Sequence, residues 1–311
     1  MPTGTPPSWE TVVEGAGDGA PRLAVRRRDG TGVPLVLLHG LGGTLEEWEP
    51  VADLLAPRHP VYAVDQRGHG RSEDSAPTVE GHLADLARLV DRFGLHTPVV
   101  VGHDMGGVLA ALFATRRRDL TAVVGIDAYG WPRADAVAEH LGLGCAEAAA
   151  NAAAARAFVV DQMAAAFSPM PARVFDRLLE SYQGGAFGLP GVVLQATTLR
   201  AAAREDHLVS PRPGPRALRA LCAEFGAYDT GLLAAGLRVP YLSLVALRPP
   251  PRIPGAPARF NEILAAQAAR ELATSAHRRT PRSLDAAPPS HLTSPAAVAE
   301  EIERFLAELP R

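Results

Sequence analysis

Val99-Val100-Val101-Gly102-His103-Asp104-Met105-Gly106-Gly107 is the stretch from which the rest of the chain can be placed. An apolar, β-branched run stops at Gly102, an acid follows two positions later, and two glycines then open an apolar segment. The pattern predicts a strand, a sharp turn and a helix, with the Asp104 carboxylate standing on the turn. Gly106 and Gly107 suit a close approach of that helix to the strand.

Upstream, Val33 to Leu38 is a continuous apolar run, the mark of a strand buried on both faces. It ends at His39-Gly40-Leu41-Gly42-Gly43, and a helix is expected through Trp48, Val51 and Leu55. Val61 to Val64 reads as the next strand and leads into Asp65-Gln66-Arg67-Gly68-His69-Gly70-Arg71-Ser72, a turn expected to be structural. Leu83, Leu86, Val90 and Phe93 recur at helical spacing, and Gly94 ends that helix. Thr121 to Tyr129 is a further apolar strand. Strands alternating with helices at this spacing give an α/β fold, with a mostly parallel central sheet covered by helices.

Toward the N-terminus, Trp9 to Gly15 and Pro21 to Arg28 read as two strands around a glycine-rich turn. Arg26, Arg27 and Arg28 are expected to form a solvated edge. Residues 1–8, polar and proline-rich, are expected to be disordered and carry no apolar leader. Beyond Tyr129 the rhythm breaks. Residues 131–235 show helical and loop patterns and no strand, including the alanine-rich run Ala146 to Ala157. Strand and helix return at Val239 to Leu247 and Ala258 to Thr274, with a poor strand at Arg279 to Leu284. The last helix opens at Ser294-Pro295, an N-cap and first-turn pair, and buries Val298, Ile302 and Phe305. The expected organisation is therefore a core of 9–130 and 236–311 holding a helical insertion of 131–235.

Charge narrows the function. A net charge of −3 over 311 residues suggests neither nucleic acid nor an anionic membrane as a partner. All 31 basic residues are Arg, which removes lysine Schiff-base chemistry and the P-loop lysine. Cys145 and Cys222 form no disulfide framework, so a reducing cytoplasm is expected. The ten His are scattered, with no HExxH and no Cys/His cluster, and no metal or other cofactor is expected.

Four stations, each at the end of an expected strand, resemble the α/β-hydrolase fold: His39-Gly40, Asp65 to Ser72, Gly102 to Gly107, and Ser290-His291-Leu292. The segment around Asp104 resembles that family's nucleophile elbow, where serine is usual, and the insertion resembles its helical cap. With an acid at the elbow, the chain is similar to the epoxide hydrolase and haloalkane or haloacid dehalogenase branch. The resemblance makes Asp104 a nucleophile toward sp³ carbon, forming an alkyl ester. His291 would activate the water that hydrolyses it. The backbone N–H groups of Leu41 and Met105 would hold the oxyanion. His39 and His103 are expected to shape their turns. With Gly40, Tyr182 and Tyr228 they are also the candidates for substrate contact.

The chain departs from the family pattern in places. Arg248-Pro249-Pro250-Pro251 follows the strand after which an orienting acid is usual, leaving Asp127 at the end of the preceding strand as the candidate. Met105 stands where dehalogenases place a halide-holding Trp, and Gly42 where epoxide hydrolases have the proline of HGxP. The expected activity is hydrolysis of a small, fairly apolar epoxide-like molecule, with dehalogenation disfavoured. Two alternatives stay open: a cofactor-independent cyclase, lyase or isomerase using Asp104 and His291 as acid and base, and a lid-gated small-molecule binder. The partner is a small molecule, and a homodimer is left open. No GxSxG occurs, which disfavours a serine esterase.

Overall fold

The computed structural model describes residues 8–310 apart from Ala16, Asp18 and Phe187. The segment expected to be disordered lies outside these residues as far as Pro7, and Ser8 already opens β1 (Ser8–Val13). Next come β2 (Leu23–Arg28), β3 (Leu35–Leu38), α1 (Glu49–Leu55) and β4 (Val61–Val64). They are followed by α2 (Val79–Arg92), β5 (Val99–His103), α3 (Met105–Arg116) and β6 (Ala122–Ile126). After an insertion, the core resumes with β10 (Tyr241–Ala246), α10 (Phe260–Ala273), β11 (Arg279–Leu284), α11 (Ser290–Thr293) and α12 (Pro295–Glu308).

Eight strands form one sheet in the order β1-β2-β4-β3-β5-β6-β10-β11. Pairs from β4 to β11 are parallel, while β2 runs antiparallel to both β1 and β4. Helices cover both faces. One core layer holds Leu86, Leu109 and Phe113 against Val36 and Val100, and the other holds Trp48, Val51, Ile302 and Phe305 against Leu37 and Val101. Every residue of β3, β4 and β6 is buried, as continuous apolar runs require. This is the α/β-hydrolase fold.

Two local expectations need correction, and a third is met. Arg26 and Arg28 are not a solvated edge, because β1 covers β2 and the α1 turn supplies acids. Arg26 pairs with Glu46 at 2.8 Å and Glu49 at 3.0 Å, and Arg28 with Glu49 and Asp53. Ser294 precedes α12 but its side chain makes no capping bond; Pro295 at the first position starts the helix. The poor strand Arg279–Leu284 does pair, at the sheet edge where Pro281 costs little. Its Arg279 is buried against Glu271 at 2.5 Å.

The insertion contains α4 (Ala134–Leu141), α5 (Cys145–Ala166), β7 (Met170–Pro171), α6 (Ala172–Ser181) and α7 (Gly191–Arg200). It continues with β8 (Ala202–Glu205), β9 (Leu208–Pro211), α8 (Pro215–Phe225) and α9 (Thr230–Gly236). The small antiparallel sheet β7-β9-β8 corrects the expectation of no strand in this region. Its strands are two to four residues long, too short for an alternating pattern to show. Two arginines fasten this side to the core. Arg200 reaches Asp65 at 2.7 Å and Glu10 at 3.0 Å, while Arg212 donates to the Gly70 carbonyl at 2.7 Å and to Asp74 at 2.6 Å.

The elbow depends on close backbone approach. A Cβ on Gly102 would lie 2.1 Å from the Gly106 carbonyl carbon, and one on Gly106 would lie 2.3 Å from the Leu38 oxygen. Gly106→Ala should therefore cost about 3 kcal/mol, while Gly184→Ala, whose Cβ meets nothing within 4 Å, should stay within about 0.5 kcal/mol. Urea unfolding midpoints of the two variants measure the difference.

Candidate active site

The loops after β3, β5 and β6 leave the same end of the sheet. The chain winds in opposite directions on either side of β3, so they open at its topological switch point. Asp104 turns the chain from β5 into α3 at φ 47° and ψ −119°, outside the regions an L-residue prefers. Its N–H donates to the Ile126 carbonyl at 3.0 Å, and its own carbonyl accepts from Gly107 at 3.0 Å and Val108 at 3.2 Å. These bonds hold the strained turn. The Leu41 N–H donates to Asp104 Oδ2 at 3.2 Å. Met105 opens α3, so its N–H is among those a helix leaves without a partner of its own, and the helix end favours negative charge there. Leu41 and Asp104, two of the residues singled out in the sequence, are thus in contact.

The imidazoles sort into two groups. His39 is fully buried: Nδ1 faces the Gly40 carbonyl at 2.7 Å and Nε2 accepts the Gln66 N–H at 3.0 Å. His69 accepts the Gly42 N–H at 3.2 Å. Both brace the turn that carries Leu41. His103 and His291 lie together instead, ring centroids 4.3 Å apart, with Trp48 on His291 at 4.8 Å. The His291 side chain is 0% exposed, and among the described residues neither ring nitrogen has a hydrogen-bond partner. No hydrogen bond joins it to Asp104 among the described residues. Burial pulls His291 down to about 3. His103 falls to about 4, through burial and then the neighbouring His291.

Glu47 completes this cluster and was not a candidate from sequence. Its Oε2 is 3.7 Å from His291 Nε2, and it lies over Gly43, where a Cβ would be 2.6 Å from that oxygen. Burial raises Glu47 to about 7, with the charges of Asp104 and Asp65 adding to the shift and His103 opposing it. One donor atom from each of Glu47, His103 and His291 falls within 4.8 Å of the others, a spacing at which a divalent ion could be held. The three come from separate segments, so no sequence spacing could have disclosed them.

Asp127, the candidate orienting acid, has φ 49° and sits at the end of β6. Its Oδ1 accepts the Ala246 N–H at 2.9 Å and its Oδ2 accepts the Ser290 N–H at 2.8 Å. It therefore positions the residue before His291 and does not hydrogen-bond the imidazole. Tyr182 ends α6, its carbonyl accepting the Gly185 N–H at 2.9 Å, and no hydrogen bond links it to Asp104. Tyr228 lines a cleft with Tyr129 and Trp131, and Gly40 leaves room for His103, whose Nδ1 would lie 2.7 Å from a Cβ there.

Residues 33–156 match the family model described as the alpha/beta hydrolase fold, the segment that carries β3 to β6 and the elbow. A protein of Azorhizobium caulinodans named as a carbamate hydrolase, RutD, is 40% identical over 112 residues, 34% of this chain and 40% of that protein. A soluble epoxide hydrolase of Corynebacterium sp. is 41% identical over 93 residues, 29% of this chain and 32% of the relative. The matched stretches thus span well under half of these relatives. Among solved structures, E-2-(acetamidomethylene)succinate hydrolase superposes with a TM-score of 0.66 at 18% identity, covering 96% of this chain and 98% of that one. Among the described residues, no single helix is long and apolar enough to cross a membrane.

The buried cluster gives stability a defined pH dependence. His39, His69, His82, His103 and His291 all titrate below 6.5 in the fold, so the stability they contribute is present above 6.5 and lost as pH falls. Glu47 acts oppositely: raised from 4.5 to about 7, its contribution is full below 4.5 and lost as pH rises through 7. Between those values Glu47→Gln should steepen the rise of stability with pH by about one proton. Urea unfolding at a series of pH values reads that slope.

Proposed function

We propose that this chain is a hydrolase that opens a small epoxide through an alkyl ester on Asp104. The observation that carries the reading is the Asp104 carboxylate, held on a strained turn at a helix N-terminus with the Leu41 N–H on Oδ2. A carboxylate is ionised at neutral pH and needs no base to attack an sp³ carbon. Attack forms the carbon–oxygen bond of the ester and breaks the ring carbon–oxygen bond, and the released alkoxide takes a proton from solvent, matched by the proton that the base later removes from the attacking water. Water then adds to the Asp104 carbonyl carbon, the oxyanion facing the Leu41 and Met105 N–H groups. Collapse releases the diol and restores the carboxylate.

The second step needs a base. His291 is enclosed between Trp48 and His103, whereas the Glu47 side chain beside it is 16% exposed. Glu47 therefore meets the water and takes its proton, with the His291 imidazole 3.7 Å behind it. Asp127 positions the His291 turn through Ser290. The insertion serves as the cap over this site. The similarity to a soluble epoxide hydrolase supports the substrate class, and Met105 in place of a halide-holding Trp argues against dehalogenation.

A second reading is favoured by one observation, the complete burial of His291. An enzyme that only moves protons, as an isomerase or lyase does, would use Asp104 without hydrolysing an ester. Turnover of styrene oxide in ¹⁸O water separates the two. Label should enter Asp104 over several turnovers, read by mass spectrometry of its peptide. Sustained turnover with unlabelled Asp104 overturns the ester route, and a product isomeric with the substrate, free of solvent oxygen, supports the second reading.

A further inference from the structure

A cleft of about 360 Å³ opens where the insertion meets the core, beyond the C-terminal end of β6. Tyr129, Trp131 and Tyr228 give it aromatic walls, and Arg133, Arg156 and Arg270 give it charge. Asp229 is the one acid among the lining residues, so their side chains carry two positive charges in excess. That acid is already engaged, with Arg270 at 2.9 Å and Arg133 at 3.2 Å, and its Oδ1 caps α9.

Arg156 differs from its neighbours. Among the described residues no carboxylate lies within 4 Å of it. Its Nη2 donates to the Cys222 carbonyl at 3.1 Å, and its guanidinium stands 5.3 Å from the Trp131 ring centroid. Gly226 leaves room for it, since a Cβ there would lie 2.4 Å from Nη2. The cation is therefore held in one orientation by neutral groups alone, and its charge is left uncompensated. A planar guanidinium fixed in this way matches a carboxylate, which accepts two parallel N–H bonds.

Two groups at the cleft feel the charge of Asp104: Tyr129 in its lining, and Cys222, whose carbonyl holds Arg156. Burial raises the Tyr129 hydroxyl, and the charges of Asp127 and Asp104 raise it further. Burial pushes the Cys222 thiol up to about 11, and Asp104 is the next cause. Trp131 Nε1 donates to the same Cys222 carbonyl at 3.3 Å.

We propose that this cleft is a carboxylate-anchoring subsite, in which Arg156 takes the acid group of a substrate whose aromatic or apolar body lies among Tyr129, Trp131 and Tyr228. It rests on the proposed function only in assigning the occupant as the substrate of Asp104; the binding itself does not. It narrows the substrate from any small epoxide to one that bears an acid.

The test uses phenylacetate as the probe and phenylacetamide as its neutral control, with binding measured by ligand-observed NMR titration against the full chain. Phenylacetate should bind at least about tenfold more tightly than the amide, the size of one charge-assisted bidentate contact. Arg156→Gln should erase that preference, Arg156→Lys should retain part of it, and Arg22→Gln, remote from the cleft, should leave it unchanged. Unaltered amide binding by Arg156→Gln shows that the cleft is intact. If that variant loses amide binding too, added salt acting on the unaltered protein decides, since it should weaken only phenylacetate. Equal affinity for acid and amide, no acid binding at millimolar concentration, or an undiminished preference in Arg156→Gln overturns the proposal. Phenylacetate binding is read without turnover, so a failed ester-labelling experiment and a failed Arg156 anchor are told apart.

Discussion

The close approach of β5 and α3 is the constraint from which the rest follows. Three glycines permit it: side chains at 102, 106 or 107 would each run into backbone or into Ala128. With the two elements that near, the connecting residue has no unstrained conformation, and Asp104 takes φ 47°. Such a residue costs of order 1–3 kcal/mol and persists only where its surroundings fix it. Here the Ile126 carbonyl fixes its N–H, and α3 fixes its carbonyl, with Met105 to Ala114 buried throughout. The core thus holds a carboxylate in a position that a relaxed loop would abandon.

A second consequence concerns protons. The C-terminal edge of the sheet gathers His39, His69, His103 and His291, all lowered by burial, so imidazole there is neutral at physiological pH. Two of them serve as hydrogen-bonded braces, a use that needs the neutral ring because one nitrogen must accept. His103 and His291 are different, since their unpartnered nitrogens face one another and Glu47. Leaving buried polar atoms unpaired is costly, which structural packing alone does not explain. Glu47, near 7 and next to them, is the group at this edge best matched to give and take a proton under neutral conditions.

The fold was legible because its signals are local. Continuous apolar runs marked β3, β4 and β6, and the glycines at 102, 106 and 107 marked the elbow without any tertiary knowledge. The site was legible only in part. Asp104 and Leu41 follow from the turns that present them. Glu47 does not: it sits in Leu45-Glu46-Glu47-Trp48, where Glu46 binds Arg26 at the surface of the core and Glu47 turns inward. Adjacent acids of one short turn thus play opposite roles, and what separates them is their partners: Glu46 meets Arg26 and Arg200, while Glu47 faces His291 and His103. His291 was legible as a residue but not as a buried one, because its enclosure depends on Trp48, brought from far away in sequence. β7 to β9 escaped notice because strands of two to four residues carry no periodicity.

The insertion is attached to the core by different means on its two sides. On the α7–β8–β9 side, Arg200 is buried between Asp65, Glu10 and Glu46, and Arg212 spans Gly70 to Asp74. Separating those partners would strand buried charges, at a cost of about 3–5 kcal/mol for a single broken pair. Phe167, at the C-terminal end of α5, also rests on the core at Gly42, where a Cβ would be only 2.6 Å from its ring. On the α4–α5 side the contact is apolar: Val137, Ala148, Ala152 and Ala155 pack with Phe260, Ile263 and Ala266 of α10 beside the cleft, and the ion pairs there run through the carboxylate of Asp229. The two attachments thus differ in kind, buried ion pairs on one side and apolar packing around a cleft on the other, and Tyr129 in the lining of that cleft feels the charge of Asp104.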